Sequence, residues 1–385
     1  MNANPSPGQP DPSGETRKPR VAVVFGGRSS EHSISCVTAG SVLQAIDPDR
    51  YDVVPIGIAH DGRWVLESAE PERLAITSAD KLPEVDATRA TVSLAQSSDS
   101  GELVVHEPSS VPRTLGEVDV VFPLLHGPWG EDGTIQGLLE MADMRYVGAG
   151  VLASAVGMDK HYMKMVLQAQ GLPLLPYTVI LPRQWRTDRA ACQEAVDSLG
   201  YPVFVKPARG GSSIGISKVH DASELEGAVE EARRHDPKVV VEAAVVGGRE
   251  VECGVLQGFG DDPPEVSVVA EIRISDQHEF YDFAAKYLPE EHTELDVPAK
   301  LPDHVAGRVQ VLAAQAFDAL SCEGLARVDF FVLPDDRVVV NEVNTMPGFT
   351  PTSMFPLMWA ASGLDYPALV DRLIQLALRR DTGLR

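Results

Sequence analysis

The chain has 385 residues, too many for one ordinary core, so two or three domains are expected. Its 44% apolar and 23% charged residues are those of a globular protein and exclude a disordered one. A net charge of -23 excludes a general partner of nucleic acid or anionic membrane, because phosphate surfaces select basic proteins, although a local cluster of cations and metal could still hold ATP.

Residues 1–19 are rich in Pro, Gly, Ser and charge and lack the apolar stretch of a secretory signal, so a disordered tail on a cytoplasmic protein is expected. No apolar run reaches the length of a membrane span. Cys36, Cys192, Cys253 and Cys322 form no short-spaced pair, which leaves buried reduced thiols rather than a zinc site or a disulfide framework.

In chain order, residues 21–25 predict a strand closed by Gly26-Gly27, residues 34–46 a helix, and residues 53–58 a second strand. The stretch 68–113 is polar and irregular and reads as an elaboration. Residues 118–125 predict another buried strand, ending in His126-Gly127. Strands alternating with helices predict a parallel α/β domain over 20–148, whose sites lie beyond the C-terminal strand ends, where both glycine-rich turns fall. Glu31, at the start of the first helix, is either a dipole-favoured acid or a receptor for an ammonium group. His126 is catalytic or structural.

A second lobe is expected over 149–241: a helix over 154–169, strands at 177–180, 203–205 and 239–241, and helices between them. Lys206 leads into Ala208-Arg209-Gly210-Gly211-Ser212-Ser213-Ile214-Gly215, where glycines let backbone N–H groups approach phosphate and serines add donors. It lacks the glycine-lysine-serine ending of a Walker loop, and such loops also serve as hinges. Lys160 and Lys286 are phosphate contacts or plain surface cations. Glu242 could meet an adenine or stay a capped acid, and Glu250 could meet a ribose or solvent.

A third lobe is expected over 242–385, with longer strands, a polar loop over 276–301, a helix over 303–319, a hairpin and a terminal helix. In the hairpin, residues 324–333 and 338–344 flank Pro334-Asp335-Asp336-Arg337, which is turn chemistry. A two-residue turn at Asp335-Asp336 puts Asp329 opposite Glu342 and Arg327 opposite Asn344, each pair on one face. Facing carboxylates destabilise a sheet unless a cation lies between them. Oxygen ligands of this kind suit Mg²⁺.

These pieces, in this order, resemble the D-alanine–D-alanine ligases of the ATP-grasp superfamily over residues 19–385. The resemblance rests on Phe25-Gly26-Gly27 with Ser30-Glu31-His32, on Leu125-His126-Gly127 with Gly130-Glu131-Asp132-Gly133, and on Met158-Asp159-Lys160. It continues in the Lys206 strand and its loop, in residues 281–287, and in Asn341-Glu342-Val343-Asn344-Thr345-Met346-Pro347-Gly348. It implies a three-lobed ATP-grasp fold, α/β and α+β, in which two lobes clasp ATP. It also implies a homodimer making D-alanyl-D-alanine for peptidoglycan through an acyl phosphate, with two Mg²⁺ or Mn²⁺.

Residue by residue, the resemblance implies that Lys160, Lys206 and Lys286 contact ATP phosphates under the loop with Ser212 and Ser213. Glu242 and the backbone at Ala243 and Val245 would hold adenine, Glu250 the ribose, and Phe280 would contact ATP. Asp329, Glu342 and Asn344 would hold the metals, with Asn341 beside the nucleotide. Glu31, linked to Ser212 and Tyr287, would bind the first D-alanine near His126. Arg327 and the Gly348 N–H would face the oxyanion, and Ser353 and Met354 the second carboxylate. Because acyl phosphates hydrolyse in water, a closing lid is needed, and the loop over 276–301 and the glycine-rich loop are the candidates.

The stretch Val246-Gly247-Gly248-Arg249 is one residue longer than the family pattern, so the adenine backbone contacts stay open by one position. A D-alanine–D-lactate ligase is the rival within the family, and Tyr287 speaks against it, since those enzymes often resemble this pattern with Phe there. From another class, Gly148-Ala149-Gly150-Val151-Leu152-Ala153 has the spacing of a nicotinamide-dinucleotide fingerprint, but no acid follows about twenty positions on.

Overall fold

The computed structural model describes residues 17–68, 70–74, 82–94, 102–107, 113–211, 213–274 and 293–383. They fall into two compact units. One holds the described residues up to Val151 together with Gly348–Pro356 and those from Gly363 onward; the other holds Leu152–Pro347 and Leu357–Ser362.

In the first unit, β1 (Arg20–Gly26) is buried along Val21–Phe25, which a strand covered on both faces requires. Helix α1 (His32–Ala45) leads to β2 (Asp52–Ile58), and β1 pairs in parallel with β2 and with β7 (Val120–Pro123). Between β2 and β7 run β3 (Trp64–Leu66), β4 (Thr91–Leu94), β5 (Glu102–His106) and β6 (Arg113–Glu117). These four continue the sheet antiparallel, in the order β6-β5-β4-β3-β2-β1-β7. The expected irregular elaboration over 68–113 is corrected here: it contributes strands, each too short to display a period of its own. Helix α2 (Thr134–Met141) follows Gly133, whose φ of 89° opens the helix.

In the second unit, the helix expected over 154–169 is two helices, α3 (Val151–Met158) and α4 (Lys160–Ala169). Asp159 takes an extended backbone (φ -94°, ψ 98°), and its carboxylate accepts the N–H groups of His161 and Tyr162. An aspartate N-cap therefore starts a new helix with Lys160 in its first turn.

Next come β8 (Tyr177–Ile180), α5 (Pro182–Thr187), α6 (Arg189–Asp197), β9 (Val203–Pro207), β10 (Ser217–Val219), α7 (Leu225–Arg233) and β11 (Val239–Ala243). The four strands form an antiparallel sheet in the order β10-β9-β11-β8. Val203, Val205, Val239 and Val241 enter a core with Trp185, Val196, Val229 and Ala232. Because strand side chains alternate, Lys206 and Glu242 project from the opposite face.

A second sheet holds β12 (Arg249–Leu256), β13 (Glu265–Ile274), β14 (Thr293–Asp296), β15 (Leu325–Val332) and β16 (Val338–Asn344). It is antiparallel in the order β14-β13-β12-β15-β16, and helix α8 (Asp303–Ala319) belongs to the same unit, with Val305, Val309, Leu312 and Ala316 buried. Strand β14 lies inside the polar stretch expected over 276–301, whose residues 276–292 are outside the described residues. The single terminal helix expected is also two, α9 (Met354–Ala361) and α10 (Tyr366–Leu378).

The hairpin β15–β16 has the expected pairs at the acids, Asp329 with Glu342 and Arg327 with Asn344. The reason differs from the one expected. Leu333 N–H donates to Arg337 O, Asp336 N–H to Leu333 O, and Asp336 has a φ of 63°, so the turn has three residues rather than two. That offset persists through Phe330 with Val340, and a bulge at Asn341 then restores the register. The outer edge of β16 is covered by its own unit: Val340 N–H donates to Pro173 O, and Val343 N–H to Met163 Sδ of α4.

Candidate active site

In the second unit, α4, the face of β9 and β11, and the β15–β16 hairpin converge. The Lys160 N–H donates to Ala208 O and its ammonium to Gly210 O, both at 2.9 Å. The same ammonium lies 3.3 Å from Glu342 Oε2. One lysine thus ties the glycine-rich loop to the acidic hairpin.

The loop is fixed at its base. Arg209 donates its backbone N–H, Nε and Nη2 to the buried Asp236 carboxylate, which also accepts the Lys238 N–H. At its far end Gly215 has a φ of 73°, and a Cβ there would collide with the His235 ring.

Glu242 is fully buried, with Lys164 Nζ 2.9 Å from Oε1 and Lys206 Nζ 2.8 Å from Oε2. Burial alone would raise this carboxyl, but the two ammonium groups outweigh it and hold the carboxyl down at about 2. Burial likewise opposes the charge on Lys206, yet Glu242, with Glu342 and Glu250 further off, raises it above its ordinary value. Ala243 N–H donates to Pro176 O, so that group is already engaged. Val245 is half-buried and Val246 exposed.

On the hairpin, Arg327 grips Asp329 through Nε and Nη2, both at 2.7 Å, and its Nε lies 3.1 Å from Glu252 Oε2. Burial acts to lower this guanidinium, but Asp329 and Glu252 raise it well above its ordinary value. Asn344 Nδ2 donates to Asp329 Oδ2 at 3.0 Å. Three carboxylates (Glu252, Asp329 and Glu342) therefore meet two cations (Arg327 and Lys160). Among the described residues no three acids group as metal ligands, but Asp329 and Glu342 face each other across one rung and a turn of the Asn344 amide offers its oxygen, donors of the kind a hard divalent cation takes.

Glu252 and Lys164 were not singled out from sequence. Glu252 pairs with Asp329 across β12 and β15, and the spacing Glu250-Val251-Glu252 already put two acids on one strand face. Lys164 sits four residues after Lys160, which is one helical face. Ser212, Phe280, Lys286 and Tyr287 lie outside the described residues.

In the first unit, Glu31 and His126 are brought together because β1 and β7 are parallel neighbours whose C-terminal turns adjoin. Ser29 Oγ accepts the Glu31 N–H and donates to His126 O at 2.8 Å, and Ser35 Oγ joins Gly26 N–H to Leu124 O. Glu31 is 7% exposed, and its side chain makes no capping bond to α1, which disfavours the dipole reading. Its Oε2 lies 2.5 Å from where a Gly127 Cβ would stand. Gly348 leads to Ser353, whose Oγ accepts the Thr350 N–H and lies 2.8 Å from Thr350 Oγ1; Met354 is buried. Phe349 meets Phe122 of β7 edge to face, with ring centroids 6.1 Å apart.

The glycines at 148 and 150 follow a single bridge residue, Tyr146, rather than a strand, which disfavours a dinucleotide turn. All four cysteines are free and buried. Among the described residues, no helix is long and apolar enough to cross a membrane.

Two family models match the chain, the D-ala D-ala ligase N-terminus over residues 20–149 and the D-ala D-ala ligase C-terminus over residues 166–375. The D-alanine--D-alanine ligase of Arthrobacter sp. (strain FB24) is 60% identical over 369 residues, 96% of each chain. The one from Streptomyces coelicolor is 59% identical over 375 residues, 95% of each. Among solved structures, the D-alanine-D-alanine ligase from Coxiella burnetii matches with a TM-score of 0.77 at 36% identity over 94% of each chain. The VanG D-Ala:D-Ser ligase from Enterococcus faecalis matches with a TM-score of 0.80 at 34% identity, covering 94% of this chain and 100% of that one.

Proposed function

Because the chain belongs to the D-alanine–D-alanine ligase family, we infer that it joins two D-alanines to D-alanyl-D-alanine with ATP, for cell-wall peptidoglycan. The γ-phosphoryl group passes to the carboxylate of the first D-alanine, giving an acyl phosphate and ADP. The free amine of the second D-alanine attacks the acyl carbon; phosphate leaves with the bonding electrons and the amine gives up a proton.

Lys160, Lys206 and Lys286 neutralise the phosphates, with Ser212, Ser213 and the loop amides covering them. Glu242 and the backbone around Ala243 and Val245 receive adenine, Glu250 receives the ribose, and Phe280 contacts ATP. Glu31, with Ser212 and Tyr287, holds the first ammonium near His126. Arg327 and the Gly348 N–H face the oxyanion, and Ser353 and Met354 hold the second carboxylate. Asp329, Glu342 and Asn344, next to Asn341, would hold Mg²⁺ or Mn²⁺, which supplies positive charge against the transferring phosphate.

The observation that carries this reading is Lys160, which reaches both the glycine-rich loop and Glu342 opposite Asp329. Phosphate and metal chemistry need those two elements together. The lobes at 20–148, 149–241 and 242–385 divide the work, substrate on the first and nucleotide between the other two. The protein works in the cytoplasm, where ATP is supplied, as a homodimer; light scattering of the full chain tests the dimer.

The test of the reaction is phosphate release from ATP and Mg²⁺ with D-alanine, and with L-alanine, D-lactate and D-serine as alternatives. D-alanine-dependent release with D-alanyl-D-alanine as product is expected. Mixed D-alanyl-D-serine or D-alanyl-D-lactate formed in preference would keep the chemistry and replace the second substrate. No release with any carboxylate, from protein that binds ATP, would overturn the reading.

A further inference from the structure

We propose that Lys164 is a positioning residue for nucleotide recognition, the permanent counter-ion that keeps Glu242 anionic and in place when Lys206 turns from Glu242 to phosphate. The proposal rests on the reading of Glu242 as the adenine partner and of Lys206 as a phosphate contact, and goes beyond both.

Lys164 is 1% exposed, so its ammonium is held out of water and needs compensation. Three groups supply part of it, Glu242 Oε1 at 2.9 Å, the Asn341 carbonyl at 3.3 Å, and the Tyr177 ring, whose centroid is 5.8 Å away, while burial still holds the ammonium below its ordinary value against the pull of Glu242. They belong to β11, β16 and β8, so this one side chain ties the adenine-side carboxylate to the bulge of the acidic hairpin.

Glu242 has one lysine on each oxygen, and the two lysines differ in freedom. Lys206 stands at the end of β9, where the glycine-rich loop begins, and Lys160 already reaches that loop. Lys164 is enclosed by three strands. When Lys206 swings to phosphate, Oε2 is released to accept a hydrogen bond from the 6-amino group of the base, while Oε1 stays bound. With Lys206 alone, the same move would strand a buried carboxylate without a cation. That carboxylate would either take up a proton or keep Lys206 away from phosphate. A protonated carboxyl donates as well as accepts and loses its preference for an amino group.

The experiment measures equilibrium binding of ATP and of purine riboside triphosphate, which lacks the 6-amino group, to the full chain with Mg²⁺. For the natural chain, ATP is expected to bind about tenfold more tightly, the worth of one hydrogen bond to a charged group. Lys164→Met is expected to cut that ratio to about twofold or less by weakening ATP more than the purine riboside triphosphate, with the KM for D-alanine unchanged and Lys164→Arg restoring much of the ratio. Loss of affinity for both nucleotides at an unchanged ratio, the mark of a merely structural lysine, would overturn the proposal. A natural chain that binds both nucleotides equally would instead overturn the adenine reading of Glu242, and this proposal with it. Should Lys164→Met fail to fold, Lys164→Gln, neutral but still able to donate to Asn341 O, reads the same ratio.

Discussion

Glu31 rests against Gly127 so closely that a Cβ on the glycine would lie 2.5 Å from Glu31 Oε2. Gly127 also has a φ of 71°, which L side chains seldom adopt. The Gly127→Ala variant is therefore expected to push the carboxylate out of position and raise the KM for the first D-alanine about tenfold or more. ATP affinity should stay as it is. Steady-state kinetics with each substrate varied in turn would check it; equal effects on both substrates would count against Glu31 as the ammonium receptor.

Asp236 anchors the glycine-rich loop by accepting two backbone N–H groups and the Arg209 guanidinium while only 2% exposed. Asp236→Ala leaves those amides unpaired, at a cost of about 2 kcal/mol. Weaker ATP binding is expected, with the KM for D-alanine little changed. Calorimetry of ATP binding and a thermal melt would separate the two effects.

Glu342→Gln keeps the shape of the side chain but removes one of the two facing carboxylates. The Mg²⁺ concentration for half-maximal activity is expected to rise about tenfold, the loss of one charged ligand. Titrating Mg²⁺ at saturating ATP measures it. An unchanged Mg²⁺ requirement would place the metal away from this rung.

His32 is buried and stacked on His60 at 3.9 Å, with Nε2 accepting the Val85 N–H and Nδ1 donating to Gly27 O. Only the neutral ring satisfies both bonds. Burial lowers its pKa below 6.5; the Gly27 bond and Glu84 oppose that, and His60 adds to it. The folded value is the lower one, so unfolding takes up a proton at acid pH. This contribution to stability is present above pH 6.5 and lost as pH falls through the folded value, with a slope of at most about 1.4 kcal/mol per pH unit. Denaturant unfolding between pH 7 and pH 5 should show it, and His32→Gln should flatten the slope.

Some of this architecture was readable in residue order, and the reason is local. Val203-Phe204-Val205-Lys206 is an apolar run that ends on a charge, so the strand and the cation at its end came out together. The acid pair was placed correctly through two departures that cancel, the three-residue turn and the bulge at Asn341. Neither departure has a strong signal, because Pro-Asp-Asp suits several turns and a bulge is set by pairing, not composition.

Other parts depend on partners far along the chain. Lys164 reads as an ordinary helix cation until β8, β11 and β16 close around it. The break at Asp159 was concealed by apolar periodicity continuing through it, although aspartate before a new helical turn is a capping signal. Strands β4, β5 and β6 span four or five residues each and are recognised only by their pairing to one another.

Asn341 is the one residue of β16 that the ladder can do without. Phe330 pairs with Val340 and Asp329 with Glu342, so excising Asn341 alone would leave every other partnership and every facing intact. Removing Val340 would instead bring Asn341 opposite Phe330, into the buried place that Val340 holds, and removing Val343 would bring Asn344 opposite Val328, out of the face it shares with Glu342. A deletion scan along this strand should therefore find its best tolerated gap at Asn341, where the ladder is kept and the cost is the carbonyl to which buried Lys164 donates. Whatever activity that shortened protein loses beyond what its melt accounts for would measure what a supernumerary residue contributes to the site.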